Sequence, residues 1–179
     1  MKISKLLWLF ALALVTSFTV EAQNFAGLDK SPMDVAAYPS SYRTSNKLIK
    51  VIYSRPQLKG RSLDKLAPNG KVWRTGANEA AEIIFYADMK LGGKTVKAGT
   101  YSLFTVPGER EWEIILSSDL NVWGAYSYNK ANDVVRVKAP ISKGGESLEA
   151  FSIAFEEVKD GVTMHLGWDT TRVAVPLSK

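Results

Sequence analysis

The sequence KVWRTGANEA, residues 71–80, places a tryptophan, an arginine, an asparagine and a glutamate close together. Arginine presents a planar set of donors that suits carboxylate, phosphate or sulfate groups. Amide and carboxylate side chains bind hydroxyl groups. We therefore predict that Trp73 lies near the end of a strand. Arg74, Asn78 and Glu79 then face a polar pocket.

A second basic group, in the sequence YSRPQLKGR, supplies Arg55, Lys59 and Arg61. Proline directly after Arg55 favours an extended conformation there and the end of a strand, so the group lies where a strand becomes a loop. We predict that these residues bind ligand in the same pocket. The alternative is an internal brace made of two ion pairs, Arg55 with Asp64 and Arg74 with Glu79.

An aromatic group follows in the sequence NVWGAYSY, which contains Trp123, Tyr126 and Tyr128. Aromatic side chains with polar tips on a loop form platforms for sugar rings or cations. These three residues are therefore predicted to bind ligand as well. The alternative is that they cap an open end of the fold.

Carboxylates in the same regions suggest a second kind of chemistry. Hydrolysis of a glycoside uses two carboxyl groups on either side of the bond that is cut. Glu79 would be the catalytic residue, together with Asp64, Glu82 or Asp119. The sequence thus leaves three interpretations open: a binding module for an anionic or glycan-like small ligand, a glycan hydrolase, and a structural or interaction protein with a bracing polar network.

Composition argues against other classes of function. The chain has one histidine, His165, and no cysteine, whereas a transition-metal site usually draws on several such ligands. We predict no metal and no cofactor, and expect His165 to lie on the polar face of a strand. The net charge of +5 comes from interspersed lysine, arginine, aspartate and glutamate residues. No nucleic-acid partner is therefore predicted.

The first 22 residues have two lysines, an apolar run and then small residues that end in Val20-Glu21-Ala22. This pattern is typical of a cleavable signal peptide. We expect an exported protein, in the periplasm or outside the cell, without a transmembrane segment. Because there is no cysteine, a lipid anchor through that residue is not expected. The oligomeric state is left open.

The elements that must position these residues are short and β-rich. Residues 23–46 contain two prolines and are predicted to form an extended arm, while residues 47–179 form one domain. About ten short strands, separated by turn signals such as Gly144-Gly145 and Asp160-Gly161, predict an antiparallel β-sandwich or jelly roll. The last four predicted strands are residues 134–138, 148–155, 162–168 and 172–175. Apolar residues alternate within 151–155 and within 162–168, as in half-buried strands. One short helix is predicted over 63–67.

Six segments in this order resemble the uncharacterised bacterial exported family known as domain-of-unknown-function family 2911. They are SPMDVAAYP, YSRPQLKGR, GKVWRTGANEA, AGTYSLFTVPG, WGAYSY and WDTTRVAVP. The resemblance extends from Ser31 to Pro176. It implies a compact, β-rich exported domain and no particular activity.

Overall fold

The structure is a computed structural model, and it describes residues 23–179. The predicted signal peptide lies outside the described residues. One four-residue helix, α1, spans Leu63–Leu66, and a 3-10 turn spans Lys130–Asn132. The rest of the regular structure in residues 23–179 consists of nine strands: β1 Met33–Tyr38, β2 Ile49–Ser54, β3 Ala81–Phe85, β4 Met89–Leu91, β5 Lys94–Val96, β6 Gly99–Val106, β7 Glu111–Ser117, β8 Asp133–Val158 and β9 Gly161–Ser178.

All neighbouring strands are antiparallel, in the order β1-β2-β3-β6-β7-β8-β9-β4-β5. The ribbon of β8 and β9 is long and bends where its pairing register shifts, around Leu148. The two ends of β9 lie in close contact. A Cβ atom added to Gly161 would lie 2.1 Å from the carbonyl oxygen of Leu177. The sheet therefore folds over one core, and the predicted all-β, antiparallel, sandwich-like fold is confirmed.

Aromatic side chains fill the centre of this core. Trp73 is 6% exposed and stacks on Trp168 with ring centroids 5.4 Å apart. It also makes edge contacts with Phe151 at 5.0 Å and Trp112 at 6.0 Å. An isolated β-bridge with Thr105 extends the sheet at this point. Trp73 thus anchors the loop that follows it to the interior.

The long ribbon accounts for one difference from the prediction. The Gly144-Gly145 pair was expected to be a turn between two strands, but it lies inside β8. A Cβ atom on Gly144 would come within 2.6 Å of the guanidinium carbon of Arg172. That guanidinium donates to the carbonyl oxygens of Asp169 and Glu146, both at the bend. Gly144 therefore leaves room for the arginine that holds the bend, and the four predicted strand segments become parts of β8 and β9.

A second difference lies in the predicted N-terminal arm. Residues 33–38 of the arm form β1, which pairs with β2 along its whole length. Pro32 and Pro39 lie immediately outside this strand, so they bound it rather than interrupt it. The alternating strands at 151–155 and 162–168 are confirmed, with their apolar side chains directed toward the core. Among residues 23–179 no helix is long and apolar enough to cross a membrane.

Candidate functional site

A cleft of about 290 Å³ lies on the outer face of the sheet. Its floor comes from β2 and β3. Alternate residues of β2 point into the core, so Ile52 and Ser54 project from the opposite face, and Glu82 of β3 pairs with Ile52. Period-two alternation in these strands therefore places one apolar, one hydroxyl and one carboxylate side chain side by side.

Three other segments form the walls of the cleft. Met33 comes from β1, directly opposite Ser54 in the register. Glu79 and Ala80 come from the loop before β3, and Asn121 comes from the loop after β7. The cleft therefore depends on contacts between segments that are far apart in sequence.

The two loops are joined by an isolated antiparallel bridge between Glu79 and Trp123. Beside it, the backbone N–H of Ala80 donates to the carbonyl oxygen of Val122 at 2.9 Å. Residues directly opposite in such a bridge have neighbouring side chains on one face. Trp123 is 60% exposed. An accessible indole thus lies next to a carboxylate at the rim of the cleft.

The cleft is acidic. Glu79 and Glu82 both line it, and none of the described residues that line it is a lysine or an arginine. One carboxylate oxygen of Glu82 accepts a hydrogen bond from the backbone N–H of Asn121 at 3.3 Å. Such an arrangement can bind hydroxyl or ammonium groups, and two carboxyl groups in one cleft are also the requirement for glycoside hydrolysis.

The loop that bears Glu79 has two residues other than glycine in the left-handed region, Thr75 at φ 52° and Asn78 at φ 63°. This conformation is unusual for a β-branched residue. Thr75 is fully buried, and its hydroxyl lies 3.3 Å from that of Thr105. Gly76 packs on β2, where a Cβ atom would lie 3.0 Å from the carbonyl oxygen of Ser54. Buried contacts therefore hold the loop in a strained shape.

Arg55, a predicted ligand-binding residue, does not line the cleft. Its guanidinium donates to the carbonyl oxygen of Phe151 at 3.0 Å, the hydroxyl of Ser152 at 2.7 Å and the carboxylate of Asp34 at 3.0 Å. Its partner is therefore Asp34, and the predicted pair with Asp64 is wrong because β1 brings a nearer carboxylate. Arg55 joins β1, β2 and β8.

The other two residues of the first basic group also lie away from the cleft. Arg61 donates to the carbonyl oxygens of Leu58 at 2.9 Å and Gln57 at 2.7 Å, and so stabilises its own turn. Lys59 has an exposed side chain, and its backbone N–H donates to the carboxylate of Glu149 at 2.7 Å. The structure does not bring these residues together with Glu79.

Arg74 is half-buried, and the predicted ion pair with Glu79 is not formed. Within residues 23–179 its side chain makes no hydrogen bond or ion pair, and its Nε atom is buried without a partner. Asn78 is also half-buried, and its carbonyl oxygen accepts from the N–H of Gly124 at 2.9 Å. Asn78 thus supports the bridge between the loops from behind. Of the predicted polar group, only Glu79 lines the cleft.

The three aromatic residues of the loop lie in three different environments. Trp123 does not line the cleft itself but pairs with Glu79, which does, whereas Tyr126 is 86% exposed and has no such link to it. Tyr128 packs on Phe104 with centroids 5.2 Å apart. Its hydroxyl donates to Asp133 at 2.8 Å and accepts from Arg136 at 2.6 Å. Burial, followed by the hydrogen bond to Asp133, raises the pKa of Tyr128 to about 12. Tyr128 braces the loop.

Of the three predicted partners for Glu79 in a hydrolase, only Glu82 shares its cleft. Asp119 accepts two hydrogen bonds from the side-chain amide of Asn132, at 2.7 and 2.9 Å. Asp64 is exposed on α1 and lines a different cavity. The sequence analysis missed several lining residues, although strand alternation could have found two of them, Ile52 and Ser54. The others are Met33, Tyr53, Ala80 and Asn121.

No three histidine, aspartate or glutamate side chains of the described residues are close enough to hold a metal ion. The one histidine, His165, lies on β9 with its Nε2 atom 2.9 Å from the carboxylate of Glu156 on β8. It is a partly exposed strand residue, as predicted.

Comparison with known proteins identifies one relationship. The model of a family described as a protein of unknown function (DUF2911) matches residues 31–177. No curated protein and no solved structure matches the chain significantly.

Proposed function

The chain belongs to the DUF2911 family, and we propose that it is an exported cell-envelope domain that binds a glycan-like small ligand. The binding site is the cleft that contains Glu79 and Glu82. The observation that supports this most directly is the bridge that places the exposed indole of Trp123 beside the carboxylate of Glu79. Sugar rings pack on aromatic faces, and carboxylates accept hydrogen bonds from ring hydroxyls.

The size and lining of the cleft agree with a small ligand. A volume of about 290 Å³ is at the lower end for small-molecule sites, which combine apolar walls with a few polar groups. Met33 and Ile52 supply apolar surface, while Ser54 and Asn121 supply polar groups beside the carboxylates. A short saccharide that stacks on Trp123 would extend from the rim into this space.

The glycan-like ligand is preferred to an anionic one because Arg55 and Arg61 bind other groups and no arginine lines the described part of the cleft. Arg55 donates to Asp34, Phe151 and Ser152, and Arg61 donates to carbonyl oxygens of its own turn. An anion would enter a cleft lined by two carboxylates, and no lysine or arginine among the described lining residues would compensate them. Export to the periplasm or outside the cell is part of the proposal, and it rests on the signal-like sequence of residues 1–22.

A glycan hydrolase is the second candidate, and one observation favours it. Glu79 and Glu82 line the same cleft, as the pair of carboxyl groups in a glycosidase must. One would protonate the leaving oxygen while the other acts as base or nucleophile. A binding module would bind the glycan without cutting it, so the detection of cleavage products distinguishes the two candidates.

The test is calorimetric titration of the protein with a panel of neutral oligosaccharides, followed by analysis of the products. Trp123→Ala is expected to weaken binding about tenfold, which corresponds to about 1.4 kcal/mol. Tyr42→Ala is the matched control, because Tyr42 is 87% exposed and does not line the cleft. Equal effects of the two variants, or the absence of binding by any glycan, would contradict the proposal. Cleavage that is abolished by Glu79→Gln would establish the hydrolase instead.

A further inference from the structure

We propose that the ligand of this cleft bears a protonated amine, as in an amino sugar whose nitrogen is not acetylated. This inference rests on the proposed function and specifies its ligand. It follows from three features of the cleft: its charge, one hydroxyl without a partner among the described residues, and the aromatic side chain at its rim.

The charge of the cleft is opposite to that of the whole chain. Glu79 and Glu82 line it without a lysine or arginine among the described lining residues, whereas the chain has a formal net charge of +5. General attraction to the protein would therefore bring anions, and the cleft is a local exception. A cation is the group that two neighbouring carboxylates bind most favourably.

The carboxylates also retain hydrogen-bonding capacity. One oxygen of Glu82 accepts from the backbone N–H of Asn121, at a length of 3.3 Å. No described residue donates to the other oxygen, or to the carboxylate of Glu79. An ammonium group has three donors and no acceptor, so it suits a site that offers mainly acceptors.

Ser54 provides an independent observation. It is 5% exposed and lines the cleft from the outer face of β2. Within the described part of the chain its hydroxyl makes no hydrogen bond. Although the residue as a whole is buried, its Oγ atom is open to the cleft, so a ligand can supply the missing partner. This hydroxyl can accept from an ammonium group or exchange hydrogen bonds with a sugar hydroxyl.

The position of Trp123 agrees with both parts of such a ligand. Its indole is exposed beside Glu79, and tryptophan is the side chain whose face attracts cations most strongly. A sugar ring can stack on the same face. Carboxylates and an aromatic surface around one cleft thus recognise a molecule with both a ring and a positive charge.

The experiment compares two oligosaccharides with the same sugar rings, one fully deacetylated and one fully N-acetylated. Binding is measured by calorimetry at a mildly acidic pH at which the amine is protonated. We expect the amine form to bind at least about fivefold more tightly, since each exposed charge pair contributes modestly. Glu79→Gln and Glu82→Gln are expected to remove this preference. Glu146→Gln, which changes an exposed carboxylate outside the cleft, is the matched control.

The outcomes separate this inference from the proposed function. Equal or tighter binding of the acetylated form would overturn the inference and leave a glycan-binding cleft in place. The amine spermidine, which has no sugar ring, is the third probe. If it binds as tightly as the amine-bearing saccharide, the charge recognition is upheld and the glycan part of the proposed function is overturned. If none of the three probes binds, the inference is overturned.

Discussion

Glu79 and Trp123 form an antiparallel bridge between two loops that are far apart in the chain. The bridge forms because Trp73 is buried in the core and fixes the first loop, while the Tyr128 hydroxyl bonds to Asp133 and fixes the second. Both residues of the bridge remain accessible at the rim of one cleft. The interior of the domain therefore determines the geometry of a surface site.

Because Trp123 is exposed, its substitution should weaken ligand binding without destabilising the fold. Trp123→Ala should change the free energy of unfolding by less than about 0.5 kcal/mol, as exposed substitutions usually do. Trp73→Ala should cost about 3 to 5 kcal/mol, because it empties the centre of the core. Urea denaturation measures both values. A large loss of stability in Trp123→Ala would show that the indole supports the loops rather than a ligand.

The bonds of Arg55 predict a structural role for this residue. Arg55→Met removes three hydrogen bonds and the ion pair with Asp34. The Arg55 side chain is 34% exposed, so solvent screens part of the interaction. The expected loss is about 1 to 2 kcal/mol of unfolding free energy. Thermal or urea denaturation of this variant tests the value.

The same substitution at Arg74 should have the opposite effect on stability. Arg74→Met removes no hydrogen bond or ion pair formed within the described residues, and it eliminates a buried Nε atom that has no partner. Its stability should equal or exceed that of the unmodified protein. If Arg74→Met is instead destabilised as strongly as Arg55→Met, then Arg74 braces the loop after all.

The sequence predicts the fold better than the site, for physical reasons. Alternation within 162–168 depends only on which side chains are apolar, so it can be recognised locally. The bend of β8 and β9 cannot be recognised in this way, because it depends on Arg172 reaching across to Glu146. Glycine pairs such as Gly144-Gly145 suit a bulge as well as a turn.

The candidate site, too, can be predicted from the sequence only in part. The sequence predicts Arg55 as a ligand-binding residue or as a partner of Asp64, but its carboxylate partner comes from β1, a strand that follows one proline and precedes another. Ser54 carries no chemical signal in the sequence, and it becomes notable only when it is buried at the cleft. Which charges meet across a sheet is decided by strand order, and ten short segments permit many orders.

Because the two ends of β9 lie close together, the addition of one methyl group at Gly161 should destabilise the fold. Gly161→Ala would place Cβ 2.1 Å from the carbonyl oxygen of Leu177, a backbone atom that cannot move freely. The expected loss is about 1 to 3 kcal/mol of unfolding free energy. Gly145→Ala is the control, because its Cβ would have no neighbour within 4 Å. Similar stability of the two variants would mean that the ends of β9 do not meet as described.

The raised pKa of Tyr128 predicts how stability changes in alkaline solution. Burial and the hydrogen bond to Asp133 raise this pKa from 10.0 to about 12, against the opposing charge of Arg136. In the pH interval between these values the unfolded chain has lost the phenolic proton and the folded chain retains it. The unfolded state then binds fewer protons, so stability falls as the pH rises.

Tyr128→Phe isolates this contribution. Below about pH 10 the variant should be less stable than the unmodified protein by about 1 kcal/mol, because it lacks the hydrogen bond to Asp133. Between about pH 10 and pH 12 the difference should shrink, since only the unmodified protein loses this stabilisation. Other tyrosines, including Tyr38 and Tyr53 with raised pKa values, titrate in both proteins and cancel in the comparison. A difference that stays constant across this interval in urea denaturation would contradict the raised pKa of Tyr128.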